Sequence, residues 1–375
     1  MLGDNYGGGI DVNLRGIDTL EFALEVDNYL ELFKVLQPTL SQLKEKARVS
    51  GSEGEIELGG VTLRVERKGI PFYSYWLSCK DFFVYFTDGE VRSVAPVKVK
   101  FLAGYLWSYG AKKAYELFID WINRIGLLIV ESKVSRVDLC LDSDEIEFGA
   151  GDLDRMVTLA RDKAAHGEFD EFTHGKRVSG FTIGKGQPLL ARIYNKSVEV
   201  VAHSKLWFYQ VWLEAGWKGE GEVWRVEFQL RRPLLIELQV SAVEELWEKE
   251  EGIWDYLTNK WLTHRNPEGA NVSRWMVSQK WEAVQLAGRD HIGSPAIREK
   301  VKRGHLDRLM NQGAGIILSA AALADSAGLE DILEWFKSWI EVGLEKKCTT
   351  FDKIKSERQR KFVNFGPGKR YRAGR

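Results

Sequence analysis

The chain has 375 residues, 44% of them apolar, with 14 tryptophans and a formal net charge of -1. This supplies a large core, argues against disorder, suits two domains or one large domain with an appendix, and leaves any basic surface to be local rather than global. Its three cysteines, Cys79, Cys140 and Cys348, lie far apart, which speaks against a disulfide framework or a Cys-x-x-Cys metal site and for a reducing, cytoplasmic setting.

The opening residues, MLGDNYGGGID, have neither the basic stretch nor the apolar centre of a signal peptide, and residues 1–16 read as loose. The longest apolar run, Gly313 to Ala324, is shorter than the ~20 residues that span a bilayer, so no membrane partner is expected. Thr19 to Val26 alternates, with Leu20, Phe22, Leu24 and Val26 on one face of a half-buried strand. Asp27 is placed to cap a helix from Asn28 to about Ala47 that Pro38 kinks or splits. Short β-rich runs separated by glycines from Glu55 to Thr87 read as hairpins. Val97 to Leu102 alternates again, with Lys98 and Lys100 opposite the apolar set. Ala111 to Leu127 is an amphipathic helix, Val134 to Asp142 a strand, and Asp152 to Ala165 a further helix.

Strands are expected near 178–184, 189–196 and 222–231, helices from about 240 to 263, and helix throughout 272–347. Strands and helices without regular alternation give an α+β fold: a mainly antiparallel sheet with helices packed on one face, then a helical C-terminal region. Pro, Gly and two Asn in 265–272 suggest a boundary between a sheet-containing domain, 1–265, and a helical region, 272–347. The tail, 353–375, holds nine Lys and Arg opposed by Glu357 among its acidic residues; it is either a solvated tail or one that tracks phosphates.

Several chemistries lack their motifs. There is no phosphate-binding G-x-x-x-x-G-K-[ST] loop, Gly184-Lys-Gly186 lacks the third glycine of a dinucleotide fingerprint, and no H-E-x-x-H occurs. The six histidines are scattered, which disfavours a histidine-rich metal site. The Trp207-Phe208-Tyr209 run with Trp212 and Trp217 is either core or a platform for stacking bases.

Three strands share a pattern. Val137, Leu139 and Leu141 oppose Arg136, Asp138 and Asp142; Arg192, Tyr194 and Lys196 form one alternate set; and Trp224, Val226, Phe228 and Leu230 oppose Arg225, Glu227 and Gln229. If these strands lie in one sheet, their polar faces converge. A solvated face with cross-strand ion pairs satisfies the periodicity equally well.

Residue identity adds to this. Ser135-Arg-Val-Asp-Leu-Cys-Leu-Asp142, then Phe181-Thr-Ile-Gly-Lys185 with Ala191-Arg-Ile-Tyr-Asn-Lys196, then Arg225-Val-Glu-Phe-Gln-Leu-Arg231 resemble, in order and approximate spacing, three motifs of the Rep_trans family of replication initiation factors. These span about a quarter of the chain. Members often carry a further tyrosine just before the glycine, where this chain has Phe181 or Thr182.

The resemblance implies a rolling-circle replication initiator that nicks and rejoins one DNA strand at an origin, leaving a 5′-phosphotyrosine and a free 3′-hydroxyl. Tyr194 is then the nucleophile. Its proton must be removed or its phenolate favoured, because a free phenol titrates near 10. Lys196 either lowers that value or holds the scissile phosphate. A divalent metal, Mg²⁺ or Mn²⁺, is implied, with Asp138 and Glu227 first among its ligands and Asp142 next. Arg136, Arg192, Arg225 and Lys185 are expected at DNA phosphates, unless the arginines merely balance the carboxylates. The partners implied are single-stranded or extruded origin DNA, a host helicase and a second copy in a homodimer. The alternatives are a conjugative relaxase, a non-catalytic DNA-binding protein, and an unrelated hydrolase with Asp138 and Glu227 as acid and base.

Overall fold

The computed structural model describes residues 13–50, 54–170, 175–287, 289–290, 310, 312–324 and 328–360. Strand β1 (Asn13–Val26) leads to helix α1 (Tyr29–Ser50), then to β2 (Gly54–Leu58), β3 (Val61–Val65), β4 (Tyr75–Ser78), β5 (Phe82–Phe86) and β6 (Val97–Phe101). Helices α2 (Ala103–Tyr109) and α3 (Ala111–Arg124) precede the long β7 (Ile129–Ser143). Next come the single turn α4 (Asp152–Arg155), β8 (Met156–Thr158), β9 (Lys163–Asp170), β10 (Gly175–Ile183) and β11 (Leu189–Asn195). They are followed by α5 (Lys196–Ala202), α6 (Phe208–Ala215), β12 (Trp224–Arg231), α7 (Arg232–Glu237) and α8 (Val243–Tyr256). A π-helical stretch, Leu257–Trp261, runs into β13 (Leu262–Asn266), β14 (Met276–Val277), α9 (Gln279–Leu286) and β15 (Arg289–Asp290). Beyond these, 312–324, α10 (Leu329–Lys346) and α11 (Phe351–Arg360) are helical.

The fold is α+β. Its main sheet runs β2-β3-β4-β5-β6-β1-β7-β12-β11-β10-β9, with each adjacent pair antiparallel and β15 added parallel to the start of β1. Strand alternation sends Leu20, Phe22 and Leu24 of β1, Val137, Leu139 and Leu141 of β7, and Val226, Phe228 and Leu230 of β12 to one face. There they form the main core with Phe118 and Trp121 of α3 and Leu246, Ile253 and Trp254 of α8. Phe22 meets Phe101, Tyr115 and Phe118 edge-on at 5.1–5.7 Å, contacts worth roughly 0.5–1.5 kcal/mol each beyond the area they bury.

The opposite face is not left wholly to solvent. Helices α5 and α6 cover one end of it with a second, smaller cluster of Trp207, Phe208, Val211 and Trp212 against Leu14, Trp107 and Cys140. That lid decides which polar residues of this face are buried.

The expected strands and the amphipathic helix near 111 are present, and α1 runs unbroken through Pro38. The helix expected over 152–165 is not: only one turn forms, after which Met156–Thr158 pairs with β13 and Lys163–Asp170 with β10. Partners far away in sequence override a local helical pattern that cannot register them. The stretch from 272 is also not helical throughout, since β14 and β15 interrupt it. Across the expected boundary at 265–272 the chain returns to the main core, where Trp281 and Val284 are buried. In the basic tail, 351–360 is helix and the remainder lies outside the described residues, as do Arg298 and Lys300 to Arg303. Among the described residues no helix is long and apolar enough to cross a membrane.

Candidate active site

The site is written in the register of four strands. Tyr194 of β11 stands opposite Arg225 of β12, which stands opposite Asp142 of β7. One pair along, Arg192 faces Glu227, and Glu227 faces Cys140. The next pair sets Gln229 opposite Asp138, and beyond it Arg231 opposes Arg136. Directly opposed residues share a face. Tyr194, Arg192, Glu227, Asp138, Asp142, Arg225 and Arg136 therefore all rise from the side away from the main core.

Tyr194 is half-buried, and its hydroxyl donates to Glu227 Oε2 at 3.0 Å. Burial first, and the Glu227 carboxylate second, push the phenol well above its ordinary value, with Arg225 opposing. The resting nucleophile is thus a protonated phenol already bonded to a base. Arg192 reaches Glu227 Oε1 at 3.1 Å and Gln229 Oε1 at 3.2 Å through one terminal nitrogen, while its Nε is buried with no hydrogen-bond partner. Such a donor matches a phosphate oxygen. Arg136 grips Asp138 with two nitrogens and lies 3.7 Å from Glu21. Asp138 thus pairs with its own strand's Arg136, not with Arg192 or Arg225 across the sheet.

Under the α6 lid the chemistry differs. Arg225 is fully buried and binds Asp142 with both Nε (2.5 Å) and Nη2 (2.8 Å), and Asp18 with Nη1 (2.6 Å). Trp212 Nε1 also donates to Asp142 Oδ2 at 2.8 Å. Both oxygens of Asp142 are therefore taken, and it serves as the anchor of Arg225 in this arrangement. Arg225 in turn packs on Phe208 and Trp107, at 4.9 and 5.4 Å, rather than facing solvent. Asp18 sits at a β-bulge between Ile17 and Thr19, which re-aims its carboxylate across the face. Burial opposes its ionisation, but Arg225, Lys196 and Lys205 together hold it below the usual carboxylate range.

Lys196 does not continue the strand, as the alternation had suggested. Asn195 caps α5 through Val198 N–H, making Lys196 the first helical residue. Its ammonium still lies 5.6 Å from the Tyr194 ring centroid and 4.5 Å from that of Phe208, buried and paired with Glu199 at 2.6 Å. Burial, then Arg225, lowers its pKa. Lys185 is exposed in the turn after β10, paired with Asp162 at 3.2 Å. It is five residues from Gly180, the partner of Tyr194, so roughly 15 Å along the strand from the nucleophile.

The sequence reading missed Asp18, Glu21, Glu199 and His166. Asp18 is delivered by a bulge that leaves no mark on the apolar pattern. His166 lay in the segment read as helix, whereas β9 places it opposite Gly180. The aromatic run near 207 is core: Trp207, Phe208, Trp212 and Trp217 are buried and leave little face for a base.

Two of the expected metal ligands fit a hard cation by kind. Asp138 and Glu227 offer carboxylate oxygens on one face, and burial together with the Glu227 charge pushes Asp138 up to about 6 in spite of Arg136. A cation would relieve that excess of negative charge. Asp142 does not fit, because Arg225 and Trp212 occupy it. Among the described residues no group of three or more His, Cys, Asp or Glu side chains is arranged to hold a metal ion.

No family model and no curated protein matches the chain. A similar solved structure is that of a rolling circle replication initiator protein from Geobacillus stearothermophilus, at 15% identity and a TM-score of 0.44, covering 75% of this chain and 99% of that one. So distant a likeness has no bearing on the chemistry, which is read from the site itself.

Proposed function

We propose that this chain cuts and rejoins one strand of DNA through Tyr194, as a rolling-circle replication initiator. The observation that carries the reading is the Tyr194 hydroxyl bonded to Glu227 at 3.0 Å on the same sheet face as Asp138 and the unpartnered Nε of Arg192. A nucleophile, a base, a carboxylate pair and a phosphate donor meet there. As the Tyr194 oxygen bonds to phosphorus, its proton passes to Glu227 Oε2 and the bond to the 3′ oxygen breaks. Arg192 and Arg136, both partly exposed, hold non-bridging phosphate oxygens. Arg225, gripped by Asp142 and Asp18, sets a fixed positive charge beside the phenol. Lys196 does the same from the side of the ring. Asp138 and Glu227 Oε1 are the oxygens that would hold Mg²⁺ or Mn²⁺, which when bound polarises the phosphate. The phosphotyrosine bond conserves the energy needed for rejoining, and a host helicase would open the duplex.

The test is covalent capture. The full chain is incubated with Mn²⁺ and labelled single-stranded oligonucleotides tiled across the DNA that flanks its own coding sequence. A denaturation-resistant protein–DNA adduct is expected, and Tyr194→Phe should abolish it. Normal adduct formation by Tyr194→Phe rules out this nucleophile. A hydrolase using Asp138, raised to about 6, as acid and Glu227 as base would cleave without any adduct. A conjugative relaxase would behave as the initiator does and is separated from it by genomic neighbours.

A further inference from the structure

The strand beyond Tyr194 has a gap and then a histidine. Gly180 stands opposite Tyr194 on one side and opposite His166 on the other, so the three form one row on the site face. A Cβ at Gly180 would lie 2.8 Å from Tyr194 Cβ and 2.6 Å from the Ile193 carbonyl oxygen, so this position holds only glycine. The row therefore reads imidazole, empty place, phenol. Two strand spacings separate the backbones of His166 and Tyr194, about 10 Å. His166 is exposed, and its Nε2 lies 2.8 Å from Thr182 Oγ1, which fixes the ring on the same face, in line with Arg192 opposite Thr182.

The direction of the Tyr194 hydrogen bond gives this gap a use. The hydroxyl proton points to Glu227, on the β12 side. The oxygen lone pairs that attack phosphorus then face away from Glu227, toward the space that Gly180 leaves open. An in-line displacement puts the leaving oxygen on the far side of phosphorus from the phenol, with the attacking contact about 3–3.5 Å. The far side of this gap is His166.

We propose that His166 is the acid that protonates the departing 3′ oxygen, acting across the gap that Gly180 leaves beside Tyr194. The assignment rests on the proposed strand cleavage through Tyr194. In the forward step the Tyr194 O–P bond forms and the P–O3′ bond breaks; the phenol proton goes to Glu227 and the imidazolium proton to O3′. In rejoining, neutral His166 takes the proton from the 3′-hydroxyl as that oxygen attacks phosphorus, and protonated Glu227 returns one to the phenolate. Imidazole is the side chain suited to passing a proton both ways near neutral pH.

The test uses a leaving group that needs no acid. Single-turnover adduct formation is measured with an oligonucleotide carrying the mapped cut site and with the same oligonucleotide bearing 3′-bridging sulfur at the scissile bond. His166→Gln, which can still bond Thr182, and His166→Ala should each slow the oxygen substrate about a hundredfold or more, and the sulfur substrate by less than about threefold. Equal slowing on both substrates means His166 holds structure or DNA and overturns the assignment. So does an unchanged rate on oxygen. Absence of adduct from the unsubstituted protein, or its formation by Tyr194→Phe, instead removes the cleavage reading and this assignment with it.

Discussion

The hydroxyl of Tyr194 bonds to Glu227, one residue pair along the sheet, and not to Arg225, which stands directly opposite it. Arg225 is held away by Asp142 and Asp18. The nucleophile therefore begins each turnover with its proton aimed at a carboxylate and a fixed cation nearby.

Glu227→Gln keeps a hydrogen-bond acceptor for Tyr194 but cannot take the proton. Adduct formation should slow by about 10²–10⁴-fold while binding of single-stranded DNA is retained. Gel quantitation of the adduct beside a fluorescence binding curve checks both. A rate within a few-fold of the unsubstituted chain would exclude Glu227 as the base.

Arg225 and Arg192 should separate stability from function. Arg225→Ala leaves Asp142 and Asp18 without their cation in a buried place, at a cost of about 3–5 kcal/mol. The Arg192 side chain is 40% exposed, so Arg192→Ala should cost about 1 kcal/mol or less while weakening DNA binding. Urea unfolding of the two variants measures the contrast; similar losses would show that the α6 lid does not seal Arg225 from water.

Gly180→Ala forces a methyl group against the Tyr194 backbone and the Ile193 carbonyl. Either β10 or Tyr194 must move, at about 1–3 kcal/mol. A positional error of this kind should reduce adduct formation about a hundredfold, well beyond its effect on DNA affinity. Unchanged adduct formation would mean the row tolerates a side chain at this place.

Asp152 provides an acid-sensitive joint remote from the site. Burial opposes its ionisation, but a hydrogen bond from His264, the Gly149 N–H and the charge of Lys280 hold the carboxyl below its usual range. A depressed carboxylate stabilises the fold above its unfolded value, near 4, and that stabilisation is lost as pH falls toward the folded value. Asp152→Asn should therefore destabilise the protein at pH 7 and flatten the decline in stability below pH ~4. Chemical denaturation from pH 3 to 7 reads this directly; parallel curves for both proteins would remove Asp152 from the acid response.

Much of the molecule is set by residue order. Period-two alternation in Ser135–Asp142, Leu190–Asn195 and Trp224–Arg231 determines that Tyr194, Asp138, Glu227 and Arg192 leave the sheet on the side opposite Val137, Ile193 and Val226, because successive strand side chains point to opposite faces. It also yields the α+β class, since the strands bury one face under helices. Alternation carries no information about which strands become neighbours or what covers the polar face. Only the tertiary structure pairs Lys163–Asp170 with β10, turning an apparent helix into the strand that sets His166 across from Tyr194. Only the tertiary structure lays α6 over one end of the face, and that desolvation separates Arg225 and Asp142, locked in a buried pair, from Arg192 and Glu227, left within reach of a substrate. Pairing and burial are sums over residues distant in sequence, so they exist only once the chain has closed on itself.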